Sequence, residues 1–305
     1  VTRASGTSGL FSSGPAIDAN GTLTYTPLAN ANGTTVFNVT VQDSGGTANG
    51  GDNSRTYTNQ LTLTVNSVND APVLVDQERD FALNEDGGTA GTAISAFLAA
   101  GSVTEVNDNV TPGTASDNSA IEAIAITAKS ITGGTLQFST NNGSSWTDVG
   151  AVSNTSSLLL DDSNKIRFVP SAQDFNGPAG SFTFRAWDQT TTGAGSAGTK
   201  VNTSTNGGTS EFSSETDTAS ITVRPVNDEP IATFASNPPA VNEDVGQQTI
   251  NSYVSTVNGA QRQEDDQTFT YTVTRASGTS GLFSSGPAID ANGTLTYTPV
   301  ANANG

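Results

Sequence analysis

Hydrophobic and polar residues alternate strictly in short segments along the whole chain. Examples are LTYTP (23–27), VFNVTVQD (36–43), LTLTV (61–65), SFTFRAWD (181–188), SITV (220–223) and FTYTV (269–273). In the second of these, Phe37, Val39 and Val41 fall on one face of a strand and polar residues fall on the other. The pattern predicts strands that bury one face against a second sheet, which is the arrangement of an all-β fold built from β-sandwiches.

The amino-acid composition limits the kinds of function that this protein can have. Hydrophobic residues make up 33% of the 305 residues and charged residues 13%, and the chain has no Cys and no His. These absences exclude imidazole and thiolate catalysis, ordinary zinc sites and disulfides. The net charge of −18 argues against nucleic acid or an anionic membrane as a partner, and no apolar run is long enough to span a bilayer. Divalent cations are the natural counter-charge.

The strongest signal is an internal repeat. Residues 1–33 return at 273–305 with a single difference, Val300 in place of Leu28, and the start positions 1 and 273 give a period of 272 residues. Such identity indicates a tandem array of nearly identical units. Because the sequence contains no Met, we expect it to be an internal segment of a longer polypeptide.

A weaker repeat lies inside the first and predicts the domain boundaries. VFNVTVQD aligns with SFTFRAWD, and LTLTVNSVNDAP (61–72) aligns with ASITVRPVNDEP (219–230). We therefore expect the C-terminal part of a short sandwich over 1–68, a complete long sandwich over 69–226, and the N-terminal part of the next short sandwich over 227–305. A polar insertion at 189–210 is expected to be a mobile surface loop. The prolines of both joints should stiffen the linkers, so that the domains form a rod.

The first and last predicted domains are each incomplete. Residues 1–68 lack the first strands of their sandwich, and residues 227–305 lack the last ones. We expect these ends to be completed by neighbouring repeats of the same polypeptide, or by another copy that packs head to tail and donates strands.

Several motifs resemble those of cadherin-like and bacterial immunoglobulin-like tandem repeats of giant secreted surface adhesins. They are Asn-Glu-Asp at 84–86 and 242–244, the acidic cluster at 264–266 before FTYTV, VTVQDSGG at 39–46, and VNDAP at the joint. The resemblance, which is to adhesins of the RTX type, implies seven-stranded Greek-key sandwiches joined end to end, with calcium in the joints. It also implies an extracellular, cell-surface or secreted location.

The resemblance further implies which residues hold calcium. One joint would combine Glu85, Asn227 and Asp228 with Asp265 or Asp266, and the other would combine Asp188 with Asn69, Asp70 and Asp108; Asp43 and Glu243 occupy matching motif positions. Calcium binds roughly six to eight oxygen ligands, which convergent carboxylates, amides and carbonyls supply. The alternative is that these are solvated turn residues, and for Asp108 that alternative has at least equal weight.

These features favour a non-enzymatic structural extender that supports adhesion or biofilm. The alternatives are a segment of an extracellular filament that assembles head to tail and a weak carbohydrate-binding module. Paired carboxylates do not indicate a glycosidase, because such a site needs a cleft with aromatic subsites. Trp187 falls on the opposite face from Phe182 and Phe184, so it either is exposed as a platform for cell-surface glycans or packs against the adjoining loop.

Overall fold

The computed structural model describes residues 1–77, 79–85, 87, 90–98, 102–104, 123–172, 175–257 and 267–305. Three predicted calcium ligands, Asp108, Asp265 and Asp266, lie outside these ranges. Contacts divide the chain into two units. The first comprises Val1–Phe81, Gly88–Val169 and Ala179–Ile221, and the second comprises Ala82–Gly87, Pro170–Pro178 and Thr222–Gly305. The domain boundaries inferred from the repeats stay predictions.

The first unit begins with five strands, interrupted by a 3-10 turn at Ala48–Gly50. They are β1 (Thr2–Gly6), β2 (Phe11–Ile17), β3 (Leu23–Pro27), β4 (Gly33–Gln42) and β5 (Ser54–Val65). β1, β4 and β5 form one antiparallel sheet, and β2 and β3 form a hairpin. Leu10, Phe37 and Leu63 are buried and form the apolar core of this part.

The prediction that the buried face of β4 extends to Val41 is wrong. The register with β5 shifts between Phe37 and Val39, and Val41 is 58% exposed. Such an irregularity breaks the two-residue period, so that residues beyond it no longer continue the buried face.

The larger part of the first unit and the strands that continue from it are again almost entirely β-structure. The elements are β6 (Val73–Leu74), β7 (Arg79–Asn84), β8 (Thr92–Ala93), the helix α1 (Ile94–Phe97), β9 (Val103–Thr104), β10 (Ala123–Ile131), β11 (Gly134–Ser139), β12 (Thr147–Asp148), β13 (Ser157–Leu160), β14 (Lys165–Pro170), β15 (Gly177–Trp187), a 3-10 turn at Ala194–Ser196, β16 (Lys200–Val201) and β17 (Asp217–Arg224). A six-stranded sheet has the order β16-β13-β10-β15-β17-β7, and a four-stranded sheet has the order β12-β11-β14-β8. β6 pairs with β9.

The core draws on both of these sheets. Ile124, Ile126 and Phe182 of the six-stranded sheet are buried, as are Leu136 and Phe168 of the four-stranded sheet. This burial is the one expected when two sheets each turn an apolar face inward. The all-β prediction is confirmed.

The insertion at 189–210 is more structured than a plain surface loop. It contains the 3-10 turn and β16, which pairs with β13 through Ser157↔Val201. Thr203 is buried, and its hydroxyl is 2.8 Å from that of Ser157. The low apolar content was misleading because this segment packs through hydrogen-bonded polar side chains.

The second unit contains the second copy of the repeated sequence. Its strands are β18 (Ile231–Phe234), β19 (Gln248–Ile250), β20 (Val254–Val257), β21 (Phe283–Ile289) and β22 (Leu295–Pro299). β18 pairs with β20, and a second sheet has the order β19-β22-β21. The hairpin of β21 and β22 has the register of β2 and β3, with Phe283↔Pro299 matching Phe11↔Pro27. In contrast, the described residues 273–278 form no strand, although residues 2–6 of the same sequence form β1.

The core assignment predicts a large loss of stability when Phe182 is truncated. The Phe182→Ala variant should lose about 3–5 kcal/mol of unfolding free energy, because a large buried side chain leaves a cavity that the surroundings only partly fill. Urea unfolding followed by circular dichroism measures this. The control is Val41→Ala, whose exposed side chain should change the free energy by less than about 0.5 kcal/mol; equal losses in the two variants would contradict the core described here.

Candidate metal-binding joints

The structure places two of the predicted calcium ligands in direct contact. Asp188 directly follows β15, and Asn69 lies in the segment after β5. The amide Nδ2 of Asn69 donates to the Asp188 Oδ2 at 3.0 Å and to the Ser210 carbonyl at 3.0 Å. The backbone N–H of Ala71 donates to the Gly208 carbonyl at 2.8 Å, which fixes the linker against the insertion. Residues 119 positions apart in sequence thus meet at this joint.

The Asp188 carboxylate is buried, with 3% of the residue exposed. Its Oδ1 accepts hydrogen bonds from the backbone N–H of Thr190 at 2.9 Å and from the Thr190 hydroxyl at 2.7 Å. Burial nevertheless raises the pKa of Asp188 above its ordinary value, against the lowering effect of the bonds from Asn69 and Thr190, and the nearby Glu211 carboxylate raises it further. The charged form is therefore incompletely compensated.

Asn69 carries a second uncompensated group at the same place. Its Oδ1 is buried and has no hydrogen-bond partner among the described residues. A buried acceptor without a partner costs about 1–3 kcal/mol, so such atoms are rare unless something binds them. An amide oxygen beside a buried carboxylate is a donor set that suits a hard cation such as calcium.

The set is incomplete as a metal site within the part of the chain that the structure describes. In those residues no three acidic side chains converge on one point. Asp70 is half-buried next to Asn69. A calcium ion at this joint would need further oxygens from main-chain carbonyls, water or the predicted ligand Asp108.

Glu211 is a residue of the candidate site that sequence reasoning missed. It is buried, and its Oε2 accepts hydrogen bonds from the Trp187 Nε1 at 3.2 Å, the Thr191 N–H at 3.2 Å, and the Thr192 N–H and hydroxyl at 2.9 Å each. The backbone N–H of Asp188 donates to the Glu211 carbonyl at 3.1 Å. This carboxylate therefore holds the start of the insertion against the end of β15. The one available signal was Glu-Phe at 211–212, the first charged and aromatic pair after a polar stretch.

Trp187 packs against the adjoining loop, which was one of the two alternatives. It is fully buried in a cluster with Ala123, Ala125, Leu159 and Phe212, and its indole N–H donates to the Thr192 hydroxyl at 3.1 Å as well as to Glu211. The ring is not available as a platform for a sugar.

At the other joint, Glu85 binds the residue that precedes Asn227. Its Oε1 accepts from the Val226 N–H at 2.6 Å, and its Oε2 accepts from the Asn176 Nδ2 at 2.8 Å. The Asn227 Oδ1 accepts from the Gln267 Nε2 at 2.9 Å, and its Nδ2 donates to the Asp228 carbonyl at 3.2 Å. The structure thus brings Glu85 to this joint, while the Asn227 side chain is exposed and contacts a different segment.

The remaining two candidates are exposed. The Asp43 Oδ1 accepts from the Gly45 N–H at 2.7 Å, the same two-residue turn that Asp188 makes with Thr190. Glu243 is also exposed. Equivalent positions in the repeats therefore share local geometry, but of Asp43 and Asp188 only Asp188 is buried.

Comparison with known proteins matches one region of the chain to a protein family. Residues 2–65, which contain β1 to β5, match the family model of the bacterial Ig domain. This supports a bacterial Ig-like domain in that part of the chain. Neither a curated protein nor a solved structure matches the chain. In the described ranges, no helix has the length and apolar character that a membrane span requires.

Replacing the buried Glu211 by Gln should destabilise the protein. The Glu211→Gln variant puts either an NH2 group or a more weakly accepting amide oxygen where Oε2 accepts from four donors, and we expect a loss of about 2–3 kcal/mol of unfolding free energy. Chemical unfolding monitored by tryptophan fluorescence measures it, since Trp187 is one of the donors. Glu229→Gln is the control because Glu229 is exposed. A Glu211→Gln variant as stable as this control would contradict the bonding described.

Because burial raises the pKa of Asp188, the direction in which pH changes the stability of the protein can be predicted. A carboxyl whose pKa is higher folded than unfolded binds its proton more tightly in the native state, so its ionisation destabilises the protein as pH rises from about 4 through the folded value. Asp188→Asn removes this titration, and any hydrogen bond that the substitution loses changes the unfolding free energy by an amount that does not depend on the ionisation of residue 188. Without divalent cations, the stability of the wild type relative to Asp188→Asn should fall as pH rises from about 4 to 7. If the difference in unfolding free energy between the two proteins stayed constant over this pH range, ionisation of Asp188 would not destabilise the folded state.

Proposed function

We propose that this chain is a structural extender, a segment of a long repetitive extracellular or cell-surface protein that supports adhesion or biofilm. The observation that supports this proposal most is the near-identical return of residues 1–33 at 273–305; residues 2–33 of the first copy lie within the stretch that matches the bacterial Ig domain. Length scales with the number of copies of a unit, whereas a specific binding site gains nothing from being copied at so long a period.

The extender is favoured over the carbohydrate-binding module. Bacterial Ig domains are typically non-enzymatic and often belong to surface proteins. A glycan site needs an accessible aromatic ring, and Trp187, the leading candidate for one, is fully buried. This burial removes the specific feature on which the glycan hypothesis depended.

Calcium at the joints forms the second part of the proposal. Asn69 and Asp188 would hold an ion at one joint, and Glu85 with Asn227 and Asp228 would hold one at the other. Support comes from the buried Asn69 oxygen without a partner, the buried Asp188 carboxylate and the net charge of −18. A bound cation would supply positive charge where two acidic side chains, Asp188 and Glu211, repel each other.

Thermal unfolding with calcium and with chelator tests the calcium site. Calcium at about 100 times its dissociation constant stabilises a protein by about 2.7 kcal/mol, so the wild type should melt several degrees higher in calcium. Asp188→Asn should lose most of this increase, because a neutral amide replaces a charged ligand. Asp52→Asn, which alters an exposed carboxylate, should keep it. Coincident wild-type curves would overturn the calcium assignment.

The extender role has its own test. Small-angle scattering of chains that contain one and two units of the 272-residue period should show a maximum dimension that grows in proportion to the number of units. Little growth would contradict the extender while leaving the calcium result unaffected.

A further inference from the structure

The side-chain amide of Asn69 lies between two oxygen atoms from distant parts of the chain. Its Nδ2 donates to the Asp188 Oδ2 at 3.0 Å and to the Ser210 carbonyl oxygen at 3.0 Å. Its own Oδ1 is buried and accepts no hydrogen bond from the described residues. Both hydrogens of the amide are therefore used at this point, while its oxygen is not.

A half-turn of this amide would bring three oxygen atoms together. The oxygen and the NH2 group of an asparagine have nearly the same size, so the half-turn exchanges their positions with little change in packing. Oδ1 would then take the place of Nδ2, next to the Asp188 Oδ2 and the Ser210 carbonyl oxygen. Three such acceptors repel one another unless a cation lies among them. Neighbouring oxygens that each lie about 2.4 Å from one calcium ion are roughly 3 Å apart, which is the spacing that the two bonds of Nδ2 set here.

We propose that the Asn69 amide rotates when calcium binds, so that its Oδ1, the Asp188 Oδ2 and the Ser210 carbonyl oxygen become ligands of the same ion. In the cation-free protein, Nδ2 takes the place of the ion by donating to the same two oxygens. The inference rests on the calcium site of the proposed function. It adds a main-chain ligand from the insertion and a change of state at Asn69.

The insertion presents the Ser210 carbonyl in a fixed position. The Ser210 N–H donates to the Gly207 carbonyl at 3.1 Å, and the Ser210 hydroxyl accepts from the Phe212 N–H at 3.0 Å. The neighbouring Gly208 carbonyl accepts from the Ala71 N–H at 2.8 Å. Residues 208–210 thus contact the linker on either side of Asp70. Coordination by Ser210 would tie the linker to the insertion through the ion, in addition to these hydrogen bonds.

Calorimetric titration with calcium tests whether Asn69 supplies an oxygen ligand. The site at this joint is identified as the one that Asp188→Asn removes. If the amide rotates, Asn69→Ala should weaken binding at this site at least about tenfold, because even groups that only orient a ligand typically contribute this much. If Nδ2 instead kept its bond to Asp188, it would compete with the ion, and Asn69→Ala would strengthen binding. The control is Asn66→Ala, which alters an exposed asparagine of the same linker and should leave the Kd unchanged.

The titration separates failure of the rotation from failure of the calcium site. Wild-type protein that binds no calcium, or whose binding is unchanged by Asp188→Asn, would overturn the calcium assignment at this joint and the rotation with it. Binding that Asp188→Asn removes, but that Asn69→Ala leaves unchanged or strengthens, would overturn the rotation alone.

Nuclear magnetic resonance follows the same amide in the wild-type protein. The Asn69 NH2 signals, assigned by their absence from Asn69→Ala, should shift when calcium replaces chelator, because Nδ2 loses both of its acceptors. Asn206 is the control, since its Nδ2 also donates to two carbonyls, those of Thr203 at 3.1 Å and Ser204 at 3.2 Å. Its signals should stay in place. Asn69 signals that move no more than those of Asn206 would overturn the rotation.

Discussion

Backbone hydrogen bonding between neighbouring strands is the constraint on which this structure depends. The chain supplies its own comparison, because residues 2–6 form β1 beside β4, whereas the described residues 274–278, identical in sequence, form no strand. A strand forms here only where a neighbouring strand accepts from its N–H groups and donates to its C=O groups, and intrinsic strand preference decides little.

Strand pairing also builds the candidate joint. Asp188 directly follows β15, so the end of that strand fixes its position. The insertion is held in place because β16 pairs with β13 and because the Glu211 carboxylate accepts hydrogen bonds from the Trp187 indole N–H and the Thr192 backbone N–H. Asn69 is then fixed between Asp188 and Ser210. The result is a hydrogen-bonded polar cluster that contains a buried carboxylate and an amide oxygen without a described partner. Burying such atoms without compensation is unfavourable, which is the physical reason for the calcium proposal at this place.

Sequence predicted the elements that depend on local pattern. Alternation predicted the all-β class and the segments that form β3, β4, β5, β15 and β17, although the alternating segment FTYTV (269–273) forms no strand. The resemblance to tandem adhesin repeats, and not the residue pattern, placed Asp188 and Asn69 at one joint. Sequence reasoning missed features set by distant partners: the exposure of Val41 after the irregular register with β5, the strand at Lys200–Val201, and the buried Glu211. Each of these depends on which strand lies alongside, and a polar residue that is buried by hydrogen bonding has the same one-dimensional pattern as one in water.

Amide hydrogen exchange on the two copies of the repeat tests the central claim most directly. At low protein concentration, peptides that extend upstream into the unique residues before 273 distinguish the second copy from the first by mass. If partner strands decide structure, amides in residues 2–6 should exchange more slowly than the same amides in 274–278, while those of β2-β3 and β21-β22 are both protected. Equal exchange at the two copies of this segment would show that the sequence itself, and not its neighbour, determines the strand.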